Sequence, residues 1–139
     1  MPQIGDHRTK PIRHFTDLMV WQKAYQLGLR VFEVSKGWPS EEKYALTDQV
    51  RRSSRSVSVN ISEAWGKRRY VAHFISRLTD SDTELLETEN WLMFARDHRC
   101  LAVAEFESLY ALMREIGPML GSMMQNPEPF LLRQVRPMD

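Results

Sequence analysis

The chain has 139 residues, 42% hydrophobic and 27% charged, with a formal net charge of +1. Such a chain suits one domain that buries its core without metals or disulfides. It excludes an overall electrostatic pull on nucleic acid, so any such attraction has to come from uneven charge distribution. One cysteine, Cys100, excludes an internal disulfide, and no run of about 18 apolar residues is present to span a membrane. The opening MPQIGDHRTKPIRHF lacks the apolar run of a secretion signal. The expectation is a cytoplasmic protein that needs no membrane.

Residues 1–14 carry Pro2, Gly5 and Pro11 and read as a flexible arm. Phe15-Thr16-Asp17 reads as a helix start, with Thr16 or Asp17 as cap and Phe15 folding back on the first turn. The first helix is expected from about Leu18 to Ser35. Leu18, Trp21, Tyr25, Gly28 and Phe32 form one stripe on it; Val20, Ala24, Leu27, Val31 and Val34 form a second. Gly37 suits a left-handed C-terminal position, and Pro39 cannot continue the helix.

The central stretch runs from Ser40, a candidate cap, to Arg69. At about 100° per residue, Leu46, Val50, Ser53, Ser54, Val57, Ile61 and Ala64 share one side. Arg51, Arg52 and Arg55 take the opposite side, with Val59 among them. Serines on the inner side let neighbouring helices approach closely, and their hydroxyls can bond the preceding turn. Gly66 marks a break or bend after Trp65. A third helix is expected over Tyr70–Asp97, with Val71, Phe74, Ile75, Leu78, Leu85, Leu92 and Met93 on one side. Asp82 and Glu89 project into that sector and therefore need partners. After a turn at His98-Arg99-Cys100, a fourth helix is expected from Ala102 toward Met124, carrying Val103, Phe106, Leu109, Tyr110, Met113 and Ile116. Gly117-Pro118 should kink or interrupt it. Residues 125–139 read as an irregular tail. No strand alternation or internal repeat appears. Four helices with short connections predict an all-α, antiparallel up-and-down four-helix bundle over residues 15–124.

Charge is segregated along this pattern. Arg51 to Arg69 holds six basic residues and one acidic, a local net of +5; Asp80 to Asp97 holds six acidic and one basic, a local net of −5. Two readings follow. Arg51, Arg52 and Arg55 can pair with Asp82, Glu84, Glu87 or Glu89, in the same subunit or a neighbour, because Arg–carboxylate forks form readily. Alternatively the arginines neutralise phosphates of RNA or DNA. Lys67, Arg68 and Arg69 lie beyond the acidic block and are the better phosphate candidates.

Chemistry is less visible. Helical bundles that hold metals on facing glutamates need Glu-x-x-His motifs. None of His7, His14, His73 and His98 lies three residues after a glutamate, so no metal is expected. There is no phosphate loop or nucleophile elbow. Cys100 beside His98 reads as a turn, with no helix start or basic pocket to activate the thiol. No cofactor and no enzymatic activity is expected.

What remains is apolar surface in excess. Val20, Val59, Trp65, Trp91 and Phe94 lie on more than one helix face, as does Leu86, and a four-helix monomer this small cannot bury all such residues. A homo-oligomer accounts for them most simply.

Three segments carry a resemblance. They are Phe15-x-Asp17-Leu18-x-Val20-Trp21-x-x-Ala24, the longer Trp38-Pro39-x-Glu41-x-x-Tyr44-x-Leu46-x-x-Gln49-x-Arg51-Arg52-Ser53-x-x-Ser56-Val57-x-x-Asn60-Ile61-x-Glu63, and Glu84-Leu85-x-Glu87-Thr88. They resemble the four-helix bundle proteins related to those encoded in intervening sequences of bacterial large-subunit ribosomal RNA genes, and also the accessory protein of diversity-generating retroelements. The likeness spans roughly Phe15 to Leu120. It implies a bundle that assembles as a ring, typically a pentamer, and for the retroelement relatives a basic surface that meets nucleic acid and a reverse transcriptase. Where that family usually has glycine after Glu63, this chain has Ala64, the better helix former.

Overall fold

A computed structural model describes residues 11–133. The expected arm and tail fall partly outside it, at residues 1–10 and 134–139. Four helices make up the bundle: α1 (Met19–Val34), α2 (Asp48–Gly66), α3 (Val71–Asp97) and α4 (Val103–Gln125). They are antiparallel in sequence order. α1 packs on α2, α2 on α3, α3 on α4, and α4 closes back on α1, the α2–α3 contact being the most extensive. Among the described residues, no helix is long and apolar enough to cross a membrane.

The entry to α1 differs from expectation. His14 caps a 3₁₀ turn, Phe15–Asp17, and Asp17 Oδ2 accepts from the backbone N–H groups of Arg13 and His14, both at 3.0 Å. Asp17 thus caps this turn, and α1 itself starts without a side-chain cap. Phe15 does fold back, meeting the Trp21 ring edge-on at 5.2 Å. Gly37 has φ +82°, the left-handed conformation expected of it.

Ser40 caps nothing. The chain makes a 3₁₀ turn, Ser40–Glu42, then a wide π turn, Lys43–Thr47, before α2 begins. The π turn carries Leu46 and Thr47, and both are buried. From there the sequence reading holds closely. Leu46, Val50, Ser53, Ser54, Val57, Ile61 and Ala64 are all buried.

On α3 the buried seam is Phe74, Leu78, Ser81, Leu85, Thr88, Leu92 and Ala95. These recur at alternating steps of four and three, the repeat of knobs-into-holes packing. The hydrophobicity stripe misassigned Val71 and Met93, which are exposed, and passed over Ser81, Thr88 and Ala95. The missed seats are small because α2 and α3 approach closely there. Ser81 Oγ donates to the Val57 carbonyl at 2.7 Å, and the Ser53 and Thr88 hydroxyls lie 2.8 Å apart, so the buried polar groups are satisfied across the seam. Asp82 and Glu89 are half-buried on the flank of α3 rather than in the core, because the 3.5-residue repeat turns the seam away from them.

Pro118 sits inside α4, which runs uninterrupted from Val103 to Gln125. Its missing N–H leaves the Arg114 carbonyl without its helical donor, and both residues lie on the exposed side of the helix, open to solvent. The α3–α4 turn ends α3 in a paired C-terminal motif. Arg99 has φ +64°, Cys100 N–H bonds the Ala95 carbonyl at 2.8 Å, and Arg99 N–H bonds the Arg96 carbonyl at 3.1 Å. After α4 the chain turns back in a 3₁₀ turn, Glu128–Phe130. Phe130 stacks on Phe74, and Leu132 N–H bonds the Arg68 carbonyl.

Candidate functional site

The arginines of α2 separate into two roles. Arg52 crosses to α3: its Nη2 donates to Glu87 Oε2 at 2.6 Å, and its Nη1 lies 3.8 Å from Glu84 Oε1. Glu87 also accepts from Trp91 Nε1 at 3.2 Å. Glu84 Oε1 is buried without a hydrogen bond. Its carboxyl pKa is pushed up, first by burial and next by the Glu87 charge, with Arg52 pulling the other way. Arg77 extends the network, reaching Glu63 on α2 and Asp80 on its own helix.

Arg51 and Arg55 do not reach that acidic row. Arg51 Nε donates to Ser35 Oγ at 2.7 Å, and its guanidinium lies 4.5 Å above the Phe32 ring. Arg55 lies 5.7 Å from the same ring. Both therefore turn toward α1, and neither has a carboxylate partner among the described residues. The reason is geometric. They stand on the α1 side of α2, where Phe32 offers an aromatic face; Glu33 lines the same groove but is paired with Lys36, and Asp48 lines the adjoining hollow without forming an ion pair with either. Asp82 and Glu89 likewise have no cation partner among the described residues, since they lie on the α4 side of α3.

Beside Arg55 a groove of about 630 Å³ opens between α1 and α2, with Tyr25, Leu29 and Phe32 on one wall and Ser58 and Val59 on the other. Gly28 lies at its floor, where a Cβ would make only ordinary contact, 3.7 Å from Arg55 Cγ. Tyr25, Leu29 and Val59 are 49%, 54% and 51% exposed. A shallower hollow continues past Asp48, Arg51, Arg52 and Ser56.

The expected apolar contact residues divide. Val59 and Phe94 are exposed, as is Leu86. Trp65 and Trp91 are half-buried against the core. Val20 is not a surface residue at all: it is 3% exposed and belongs to the core, because the second stripe of α1 faces inward and the stripe containing Tyr25 faces the groove. Leu29 was not visible to sequence reasoning, since it falls on neither stripe.

The basic cluster after α2 is also divided. Arg68 lies flat on the Trp65 ring at 3.5 Å and donates from Nε to the Trp65 carbonyl at 2.6 Å; burial pushes its pKa down. It closes the end of α2 and does not project as a free cation. Lys67 is exposed. Arg69 and Arg133 line a broad cleft beside Tyr70 at the start of α3, where no side chain caps the helix. Cys100 is half-buried, and its thiol pKa is raised by burial and by Glu42 and Glu41. Among the described residues, no group of three or more His, Cys, Asp or Glu side chains is placed to hold a metal.

The fold and these surfaces define a class: antiparallel four-helix bundles with a paired-charge seam and an open aromatic groove. Residues 16–122 match the model of the 23S rRNA-intervening sequence proteins, and the chain belongs to that family. The bundle is also similar to the 1.70 Å crystal structure of a protein of unknown function from the S23 ribosomal protein family of Bacteroides thetaiotaomicron, at 28% identity and a TM-score of 0.70, covering 78% of this chain and all of that one. A comparison with curated proteins gives no match.

Proposed function

We propose that the protein is a self-associating bundle that works through contacts with macromolecules rather than through chemistry on a small molecule. The observation that supports this is the α1–α2 groove, where Tyr25, Leu29 and Val59 each stand about half exposed beside two arginines without carboxylates. Clustered apolar exposure of this kind marks an interaction site. The resemblance to ring-forming relatives makes a second copy the expected occupant, with a ring, typically of five, as the form of the assembly. Native mass spectrometry over a range of concentrations tests this. A single closed mass is expected, with Val59→Lys shifting it to the monomer. A monomer at every concentration overturns the reading.

Nucleic-acid binding is a second reading, favoured by the cleft at the start of α3, which Arg69 and Arg133 line together with Glu128. Arg52 is paired and Arg68 is stacked on Trp65, which makes the exposed Lys67 the first phosphate contact to test, with Arg69 and Arg133 lining the cleft nearby and a reverse transcriptase or another protein as a further partner implied by the retroelement resemblance. RNA and DNA binding measured at two salt concentrations is expected to weaken with salt and to be lost on Lys67→Glu with Arg69→Glu. No binding at low salt removes this reading.

A further inference from the structure

The bundle carries two unsatisfied surfaces, and they complement one another. The first is the groove between α1 and α2, apolar along Tyr25, Leu29 and Val59 and bordered by Arg51 and Arg55. The second runs along α3. Asp82, Leu86, Glu89 and Met93 follow one another at steps of four, three and four, which places them on one strip about 16 Å long. Leu86 is 60% exposed and Met93 is exposed as well. Thr79, one step earlier on the same strip, bonds Met124 Sδ, so the strip lies on the α4 side of α3. Glu84 and Glu87 lie on the other flank and are taken up by Arg52.

We infer that the acidic strip of one copy seats on the arginine-bordered groove of the next. Three relationships carry this. Each surface is apolar along its middle, so each leaves water at little cost only when covered. Arg51 and Arg55 on the groove form no ion pair among the described residues, although Asp48 and the Lys36-paired Glu33 line the same hollows, and Asp82 and Glu89 on the strip form none either. Asp82 and Glu89 are about 10 Å apart along the helix and Arg51 and Arg55 about 6 Å, a difference that the long arginine side chains can span. Finally, the packing order α1–α2–α3–α4 puts the two surfaces on opposite sides of the bundle. The contact is therefore heterologous, front to back, the kind that propagates copy by copy until rotation closes it. A groove-to-groove pairing would instead set arginines against arginines.

The inference rests on the assembly reading above, and charge exchange separates the two. In native mass spectrometry, Arg55→Glu and Glu89→Arg are each expected to run as monomers, with the circular dichroism of the native helices. Leu86→Glu, at an exposed position, serves as a second strip variant should Glu89→Arg fail to fold. Combining Arg55→Glu and Glu89→Arg in one chain is expected to restore assembly, because every contact between copies then has its two charges exchanged. A strip variant that assembles like the native chain overturns the inference and leaves the assembly reading standing. So does an Arg55→Glu variant that assembles unchanged. A native chain that is monomeric throughout overturns both.

Discussion

The Ser53 and Thr88 hydroxyl oxygens stand 2.8 Å apart between α2 and α3, both residues without exposure to solvent. One hydroxyl donates to the other, and the acceptor of that bond donates in turn to a carbonyl of its own helix, Thr88 to Glu84 at 2.8 Å or Ser53 to Val50 at 3.3 Å, so neither group is left unsatisfied. This pair sets how closely the two helices approach. A large side chain in its place has nowhere to go, since the opposing seat is filled. Ser53→Leu should cost about 1–3 kcal/mol through overpacking, measured by urea denaturation. Ser53→Ala should cost less, because it removes one bond and leaves the spacing intact.

Glu84 and Glu87 both face Arg52, yet they should answer mutation in opposite ways. Glu87 makes the short bond to Arg52 and holds Trp91 as well, so Glu87→Gln should lose about 0.5–1 kcal/mol. Glu84 is held above the ordinary carboxylate range by burial. Because its folded pKa exceeds the unfolded one, its charge costs stability above the folded pKa. That cost disappears as pH falls below the unfolded value. Glu84→Gln should therefore keep or raise the Tm near neutral pH. It should also flatten the rise in stability that this group contributes on acidification. Thermal melts of both variants across the carboxylate range check the sign.

Arg99 occupies a left-handed conformation that an L side chain adopts at a cost. It is exposed, and its backbone N–H is used in the turn. Arg99→Gly should stabilise the protein by about 1 kcal/mol. Gly37→Ala, at the corresponding position after α1, should destabilise it by a similar amount. Chemical denaturation of the pair gives both signs in one experiment.

Cys100 should react slowly. Its thiol pKa is raised by burial and by the nearby carboxylates of Glu42 and Glu41. Alkylation by iodoacetamide at neutral pH should fall below the rate of an unstructured cysteine peptide. Glu42→Gln should speed it.

Legibility in the sequence varied with what each residue faces. Most of the inner side of α2 could be read, because Leu46, Val50, Ser53, Ser54, Val57, Ile61 and Ala64 share one sector; the buried Ser58 was passed over because it lies at the α1 edge of that sector. Arg51, Arg52, Arg55 and Val59 were also correctly grouped away from the core. Their destinations were not legible: only Arg52 meets the acidic row, while Phe32 takes the other two. The seam of α3 was obscured because Ser81 and Thr88 carry hydroxyls, and a hydrophobicity stripe passes over polar residues whose bonds run across the helix pair. The π turn before α2 leaves no periodic trace in five residues. Tyr25 was legible as part of an apolar stripe wider than one contact needs, whereas Leu29 was hidden because it falls on neither stripe of α1 and reads as ordinary surface.

The hydroxyl-laced contact between α2 and α3 also fixes an order of release. These two helices share the closest packing and the buried side-chain bonds, whereas α1 and α4 are tied across their own contact by an exposed ion pair, Lys23 with Glu115. Backbone amides of the α2–α3 hairpin should trade their protons for deuterium last and together. Under mild denaturant the molecule should come apart from its outer pair inward, with a two-helix remnant holding out after the other half has loosened.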